Sequence, residues 1–308
     1  MPRRSPATSA MLTGVALVIV GVTCYAIMDG LGVFLSESQS IVQIVWARYM
    51  FALPVVLFVA ARHGIVRTYA STRRPFIQVL MGLFPALASF SVAGGFGLLD
   101  LAELTAITFA SPLLVVALSA PLLREHTTLH DWIGVIGGFV GILLVVRPGA
   151  DALAWAAIFP LGCAFFFALY QISMRFVGRE DDPVSTLAWS ITTGLVVTIP
   201  LVFLDWRPAS PGAWVAMIAS GLVFGAAQFC LIAAFRRAAP ALLTPFTYVQ
   251  IVPAVLIGIA AFGNWPDLWT IVGTVLVIAA GIYVLDRRRR GPAPGQRSEV
   301  LGDELVGK

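Results

Sequence analysis

The chain has 308 residues, of which 59% are apolar and only 12% charged, and it carries a net charge of +4. A soluble domain holds about 25% charged residues, so this balance excludes an ordinary soluble enzyme and fits an integral membrane protein with little mass outside the bilayer. The positive excess is not a nucleic-acid signature, because the basic residues sit in short caps between apolar runs; no nucleic-acid partner is expected.

Ten apolar runs follow one another, at about 11–31, 41–61, 76–98, 102–123, 129–147, 152–176, 184–204, 212–235, 241–263 and 267–285. A run of about 20 residues crosses roughly 30 Å of hydrocarbon as a helix. In lipid such a segment must be helical, because unpaired backbone groups are not tolerated there. The expected fold is therefore all-α, a bundle of ten transmembrane helices. The first run follows a short basic start and is closed by no convincing cleavage site, so it reads as a retained span and not a signal peptide. Pro54, Pro85, Pro112, Pro121, Pro160, Pro245 and Pro253 fall inside spans and predict kinked helices.

Basic residues orient the bundle. With the N-terminus in the cytoplasm and the sides alternating, 17 of the 20 Lys and Arg fall on the cytoplasmic side. Arg147 and Arg207 fall outside, and Arg48 lies within a span. Both ends are thus expected in the cytoplasm, in a bacterial inner membrane. Residues 287–308 read as a disordered tail, being polar and containing Gly and Pro.

The stretch 101–149 is a helical hairpin around a short polar hinge, Arg124 to Asp131, and a weaker echo of it occupies 241–285. Spans two and seven each have a Trp in the first half and a Pro in the second. Spans four and nine each have two Thr three residues apart, Thr105/Thr108 and Thr244/Thr247, and then Pro112 or Pro253. The domains are then 1–10, 11–149, 150–286 and the tail. Five spans is an odd number, so the second copy enters the membrane in the opposite sense. Inverted repeats of this kind are typical of secondary transporters with a midplane site.

Ser111-Pro112, Leu123-Arg124-Glu125, Asp131-Trp132-Ile133-Gly134, Gly141 and Arg147-Pro148-Gly149 resemble the EamA domain of the drug/metabolite transporter superfamily. Trp46-Ala47-Arg48 and Gly281-Ile282-Tyr283 also fit, whereas Asn264 stands where the family often has Glu. The resemblance covers about residues 11–286. It implies a secondary carrier of a small polar or zwitterionic metabolite, working by alternating access as two five-helix halves rock. Such families include exporters of opine-metallophore type and uptake carriers for riboflavin or S-adenosylmethionine. The reading leans to export of an amino-acid-like or metallophore product, with vitamin or nucleotide-like uptake as the alternative. A membrane-embedded enzyme or a scaffold is the alternative of another class.

Candidate site residues follow from polarity inside spans. Arg48 lies about seven residues into span two, roughly 10 Å below the edge at 1.5 Å per residue. A charge there must be paired or face water; it is either an anion anchor or one half of a structural pair with Asp29. Asp29 and Glu103 are the candidate coupling or ion-pair carboxylates, and Glu103 also suits a helix cap. Tyr25, Trp46, Tyr49, Thr105, Thr108, Tyr170, Trp189, Gln228, Thr247, Tyr248 and Gln250 can hydrogen-bond or stack against a planar or zwitterionic ligand. Pro112, Glu125, Gly134, Gly138 and Gly141 read as structural. The glycine pairs at four-residue spacing, Gly134/Gly138, Gly137/Gly141 and Gly221/Gly225, allow close helix contact within the bundle or in a homodimer. Cys24, Cys163 and Cys230 lack metal or redox spacing, and His63, His126 and His130 lie in caps. No catalytic residue, metal or cofactor is expected, and no nucleotide-binding loop is present in the sequence.

Overall fold

A computed structural model describes residues 6–62, 64–72, 74–123, 129–146, 153–177, 181–237 and 243–290. The helices are α1 (Pro6–Ser36), α2 (Ile41–Ala61), α3 (Ile65–Ala70), α4 (Pro75–Gly94), α5 (Leu101–Thr108), α6 (Ser111–Leu123) and α7 (Leu129–Val146). There follow α8 (Leu153–Ala156), α9 (Ile158–Val177), α10 (Pro183–Val202), α11 (Pro211–Arg237), a 3-10 helix (Thr244–Gln250), α12 (Ile251–Phe262) and α13 (Leu268–Arg290). Among the described residues there is no strand, only one bridge between Phe96 and Leu99. Six segments are long and apolar enough to cross a membrane, and four shorter apolar helices accompany them. They fall at the ten expected spans, and the chain is an all-α membrane protein.

Several expectations fall outside the described residues. These are the hinge 124–128 with Glu125, the Arg147-Pro148-Gly149 stretch, and the end beyond residue 290. Helix α13 continues to Arg290, four residues into the expected tail. Arginine is a good helix former, and basic side chains suit a helix C-terminus.

The prolines act in two ways. Pro54, Pro85 and Pro121 lie inside continuous helices, as does Pro200. Pro112, Pro160, Pro245 and Pro253 instead stand in the first turn of a new helical segment, so spans four, six and nine are broken and not merely kinked. Proline lacks the N–H that an interior position needs, and its ring clashes with the carbonyl four residues back. It is tolerated where a helix starts. In span four, α5 ends at Thr108, Phe109 caps it, and α6 restarts at Ser111.

The closest packings all join the first half of the chain to the second. They are α1 on α11, α7 on α13, α4 on α9, α2 on α11, α2 on α10 and α4 on α10. Exchange of the halves turns α1·α11 into α9·α4, turns α2·α11 into α10·α4, and leaves α7·α13 and α2·α10 in place. The repeat is thus visible as a pseudo-twofold, with the two copies interleaved.

Glycines set these distances. A methyl group at Gly141 would stand 2.8 Å from the Gly273 carbonyl oxygen, so α7 and α13 touch backbone to backbone. Gly138 seats Leu113 of α6, Gly221 seats Phe51, Gly225 seats Val55, and Gly134 is buried. Gly138, Gly141, Gly221 and Gly225 are used inside the bundle, which leaves them no role in a homodimer face.

The two ends of the bundle differ. At one end Ser40 Oγ donates to the Asp205 carbonyl at 2.6 Å. There the buried Gln43 side chain both donates to the Arg207 carbonyl and accepts from the Arg207 N–H, each at 3.1 Å. The α4–α5 and α12–α13 turns lie at this short-turn end. The basic end carries Arg62, Arg67, Arg74 and Arg237. There Thr72 and the buried Gln78 donate to Asp181 at 2.6 and 2.8 Å, tying the start of α4 to that of α10.

Candidate functional site

The bundle buries an ion pair at its heart. Helix α1 is unbroken over seven turns or more and carries Asp29 on its inner face; α2 starts at the Ser40 N-cap and brings Arg48 opposite. Arg48 Nη2 donates to Asp29 Oδ1 at 3.2 Å. Arg48 is 0% exposed and Asp29 7%. Two details hold the guanidinium in place. Gly32 lets it lie against the α1 backbone, since a methyl there would be 2.8 Å from Nη2. Phe96, from the turn after α4, covers it with its ring centroid 5.3 Å from Cζ, a cation–π contact.

Nε and Nη1 of Arg48 have no hydrogen-bond partner although both are buried. Each of the two usable forks of a guanidinium combines one Nη2 hydrogen with Nε or Nη1. Asp29 takes a single contact at Nη2, so whichever hydrogen it uses, one complete two-donor fork stays open. Buried donors left unpaired cost about 1–3 kcal/mol each, and more when charged. A planar, two-oxygen anion is the natural complement of such a fork.

Around the pair stand polar and aromatic groups from α1, α2 and four more helices. Tyr25 donates to Gln228 Oε1 of α11 at 2.9 Å. Tyr49 is fully buried; its ring meets Phe224 edge-on at 5.3 Å and fills the space at Gly194. Its hydroxyl has no hydrogen-bond partner, with Ser89 of α4 beside it. Tyr170 and Cys163 of α9 approach the same centre, and Thr108 lies next to Cys163. Thr105 and Thr108 hydroxyls donate to the Leu101 and Leu104 carbonyls of their own helix.

Not every expected residue joins this cluster. Trp46 packs edge-on against Trp206 at 5.7 Å and Phe51 at 6.1 Å, in an aromatic group with Trp214 near the short-turn end. Trp189 lies at the basic end, against Tyr69 at 5.9 Å, and its indole N–H donates to the Tyr69 carbonyl at 3.4 Å. Tyr248 is core, with its ring on Phe109. Thr247 and Gln250 are half-buried on the 3-10 helix that packs against α1. Glu103 accepts from the Asp100 N–H at 3.2 Å and caps α5. Phe96, Gly32, Ser89, Cys163 and Phe224 were missed as site residues. For Phe96 a signal existed, an aromatic residue set between Gly94-Gly95 and Gly97, whose φ is +76°.

The pseudo-twofold bundle of broken and unbroken apolar helices, with a charged pair and unpaired donors at its centre, has the form expected of a membrane carrier. The chain belongs to the EamA-like transporter family, which matches residues 12–147 and again 154–285. It is similar to an S-adenosylmethionine uptake transporter of Rickettsia felis, 22% identical with 95% of this chain and 99% of that one covered. It is also similar to riboflavin transporters of Rhizobium johnstonii, at 23% with 92% of each chain covered, and of Vibrio cholerae, at 26% with 58% and 60% covered. A protein of known crystal structure shares the fold with a TM-score of 0.62 at 18% identity, over 92% of this chain and 99% of that one.

Proposed function

We propose that this chain carries a small carboxylate-bearing metabolite, zwitterionic or with an aromatic part, across a bacterial inner membrane by alternating access. The observation that carries the reading is the open fork of a fully buried Arg48. Tyr25, Tyr49, Tyr170 and Gln228 supply stacking and hydrogen bonding beside it. Asp29 holds Arg48 when no anion is bound and faces a ligand's positive group when one is.

The sequence leans to export; the name of the Rickettsia felis relative, which spans nearly the whole chain, favours uptake, and uptake is the direction we adopt. The basic end lies in the cytoplasm on this reading. On this reading the halves of the sequence do not rock as units; the packing of each half against the other supports moving bodies that mix the two. The moving bodies are α1, α2 and α11 against α4, α9 and α10, with α2·α10 as the seam.

Purified protein in proteoliposomes, given labelled S-adenosylmethionine, riboflavin and a panel of amino acids inside or outside, tests the reading. Saturable flux of a carboxylate-bearing compound is expected. Flux confined to compounds without an anionic group would refute it.

A further inference from the structure

The short-turn end holds a second polar place that the Arg48 arrangement does not use. A cavity of about 200 Å³ opens where the α4–α5 and α12–α13 turns meet. Asp100, Glu103, Asn264, Trp265, Asp267 and Thr270 line it, and no basic residue does among the described residues. The Asn264 amide donates to Asp100 Oδ1 and ties the two turns together.

Helix capping explains part of this cluster. Glu103 accepts from the Asp100 N–H, and Asp267 Oδ1 accepts from the Thr270 N–H at 2.8 Å. It does not explain the rest. Thr270 lines the cavity and is only 2% exposed, and its buried hydroxyl has no hydrogen-bond partner. An unmade bond at a buried hydroxyl is costly. Asp100 accepts from the Glu103 N–H in the α5 capping box and from the neutral Asn264 amide. Partial burial, and then the nearby Asp267, hold its carboxyl above the usual range.

We propose that this cavity binds an organic ammonium group. Asp100 is its counter-charge, the Thr270 hydroxyl accepts one of its N–H bonds, and the Trp265 ring forms the wall. Among the described residues no three His, Cys, Asp or Glu side chains are placed to hold a metal ion, which points to an organic cation. A cavity of about 310 Å³ adjoins it and is lined by Val33 and Gly97. The chain neighbours of those two, Gly32 and Phe96, cover Arg48. An amino-acid-like ligand would meet Asp100 with its ammonium first, and Arg48 with its carboxylate once Phe96 had moved. That route rests on the carrier reading; the cation binding does not.

Titration of the purified full chain with methylammonium chloride, against sodium chloride at equal ionic strength, tests the site. The readout is tryptophan fluorescence, with Trp265→Phe as the blank. A saturable methylammonium response is expected in the wild type and none in Trp265→Phe. Asp100→Asn should raise the dissociation constant by about tenfold or more, and the near-isosteric Thr270→Val should raise it several-fold. A response that sodium chloride reproduces, or no saturable response, overturns the proposal. So does unchanged affinity in either folded variant. Because no transport is measured, loss of carboxylate flux with methylammonium binding retained would remove the carrier reading alone.

Discussion

Phe109 and Tyr248 touch each other across the pseudo-twofold axis, their ring centroids 5.1 Å apart and their planes at 69°. They stand at matching places in the two copies, one residue after Thr108 and one after Thr247, where spans four and nine are both broken. Such an edge-on pair contributes about 0.5–1.5 kcal/mol beyond its burial. The Tyr248 hydroxyl lies where a side chain at Gly281 would begin. Gly281→Ala should therefore lower stability by about 1–3 kcal/mol through overpacking. Denaturation of the detergent-solubilised protein, followed by circular dichroism, checks this.

Gly32 is the seat of the central pair. A methyl group there would overlap the Phe96 ring and crowd Arg48 Nη2. Gly32→Ala should reduce both thermal stability and flux. Gly32→Ala with Phe96→Leu should recover stability in part, because the smaller side chain frees space. Paired Tm and flux measurements on the two variants give the comparison.

Gln43 is fully buried and holds the backbone of Arg207 by two hydrogen bonds. Gln43→Leu removes both; because Arg207 is exposed, water can take up its freed N–H and carbonyl, and each lost bond costs about 0.5–1.5 kcal/mol. The α10–α11 loop should then open to protease near Arg207 before the rest of the bundle does. Limited trypsin digestion shows whether it does.

The sequence makes the spans legible because hydrocarbon thickness imposes one length on each of them. It makes Arg48 and Asp29 legible because a charge in a span is costly and must have a reason. What it hides depends on the partner across the chain. Trp46 and Trp189 read as cavity aromatics, since their spans give no hint that Trp206 and Tyr69 are their neighbours. The short helix α3 between α2 and α4 lies between two expected spans, and its six residues are too few to show a period. Pro112 and Pro253 announced an irregularity, yet kink and break look alike until the chain is seen to restart at Ser111 and Ile251. Phe96 was passed over because its role comes from lying on Arg48, 48 residues earlier.

Asp100 makes stability depend on pH in a stated direction. Burial and Asp267 raise its carboxyl pKa in the folded state. Its charge therefore opposes folding, and the wild type is most stable, relative to Asp100→Asn, in acid. That relative stability is lost as pH rises through the folded-state value. Asp100→Asn keeps an acceptor oxygen for Asn264, so it should melt above the wild type at neutral pH, with the gap closing toward about pH 4, near the ordinary Asp value. Tm measured for both proteins across that range reads the gap directly.

The account stands or falls on the open fork of Arg48. The most direct measurement compares the transported metabolite with its decarboxylated analogue, as competitors for flux, in the wild type and in Arg48→Lys and Arg48→Ala. The wild type should prefer the carboxylate form by about tenfold or more. Arg48→Lys, a point charge without the fork, should keep only part of that preference, and Arg48→Ala should have none. A preference that survives intact in folded Arg48→Ala would contradict the claim that this guanidinium grips the substrate.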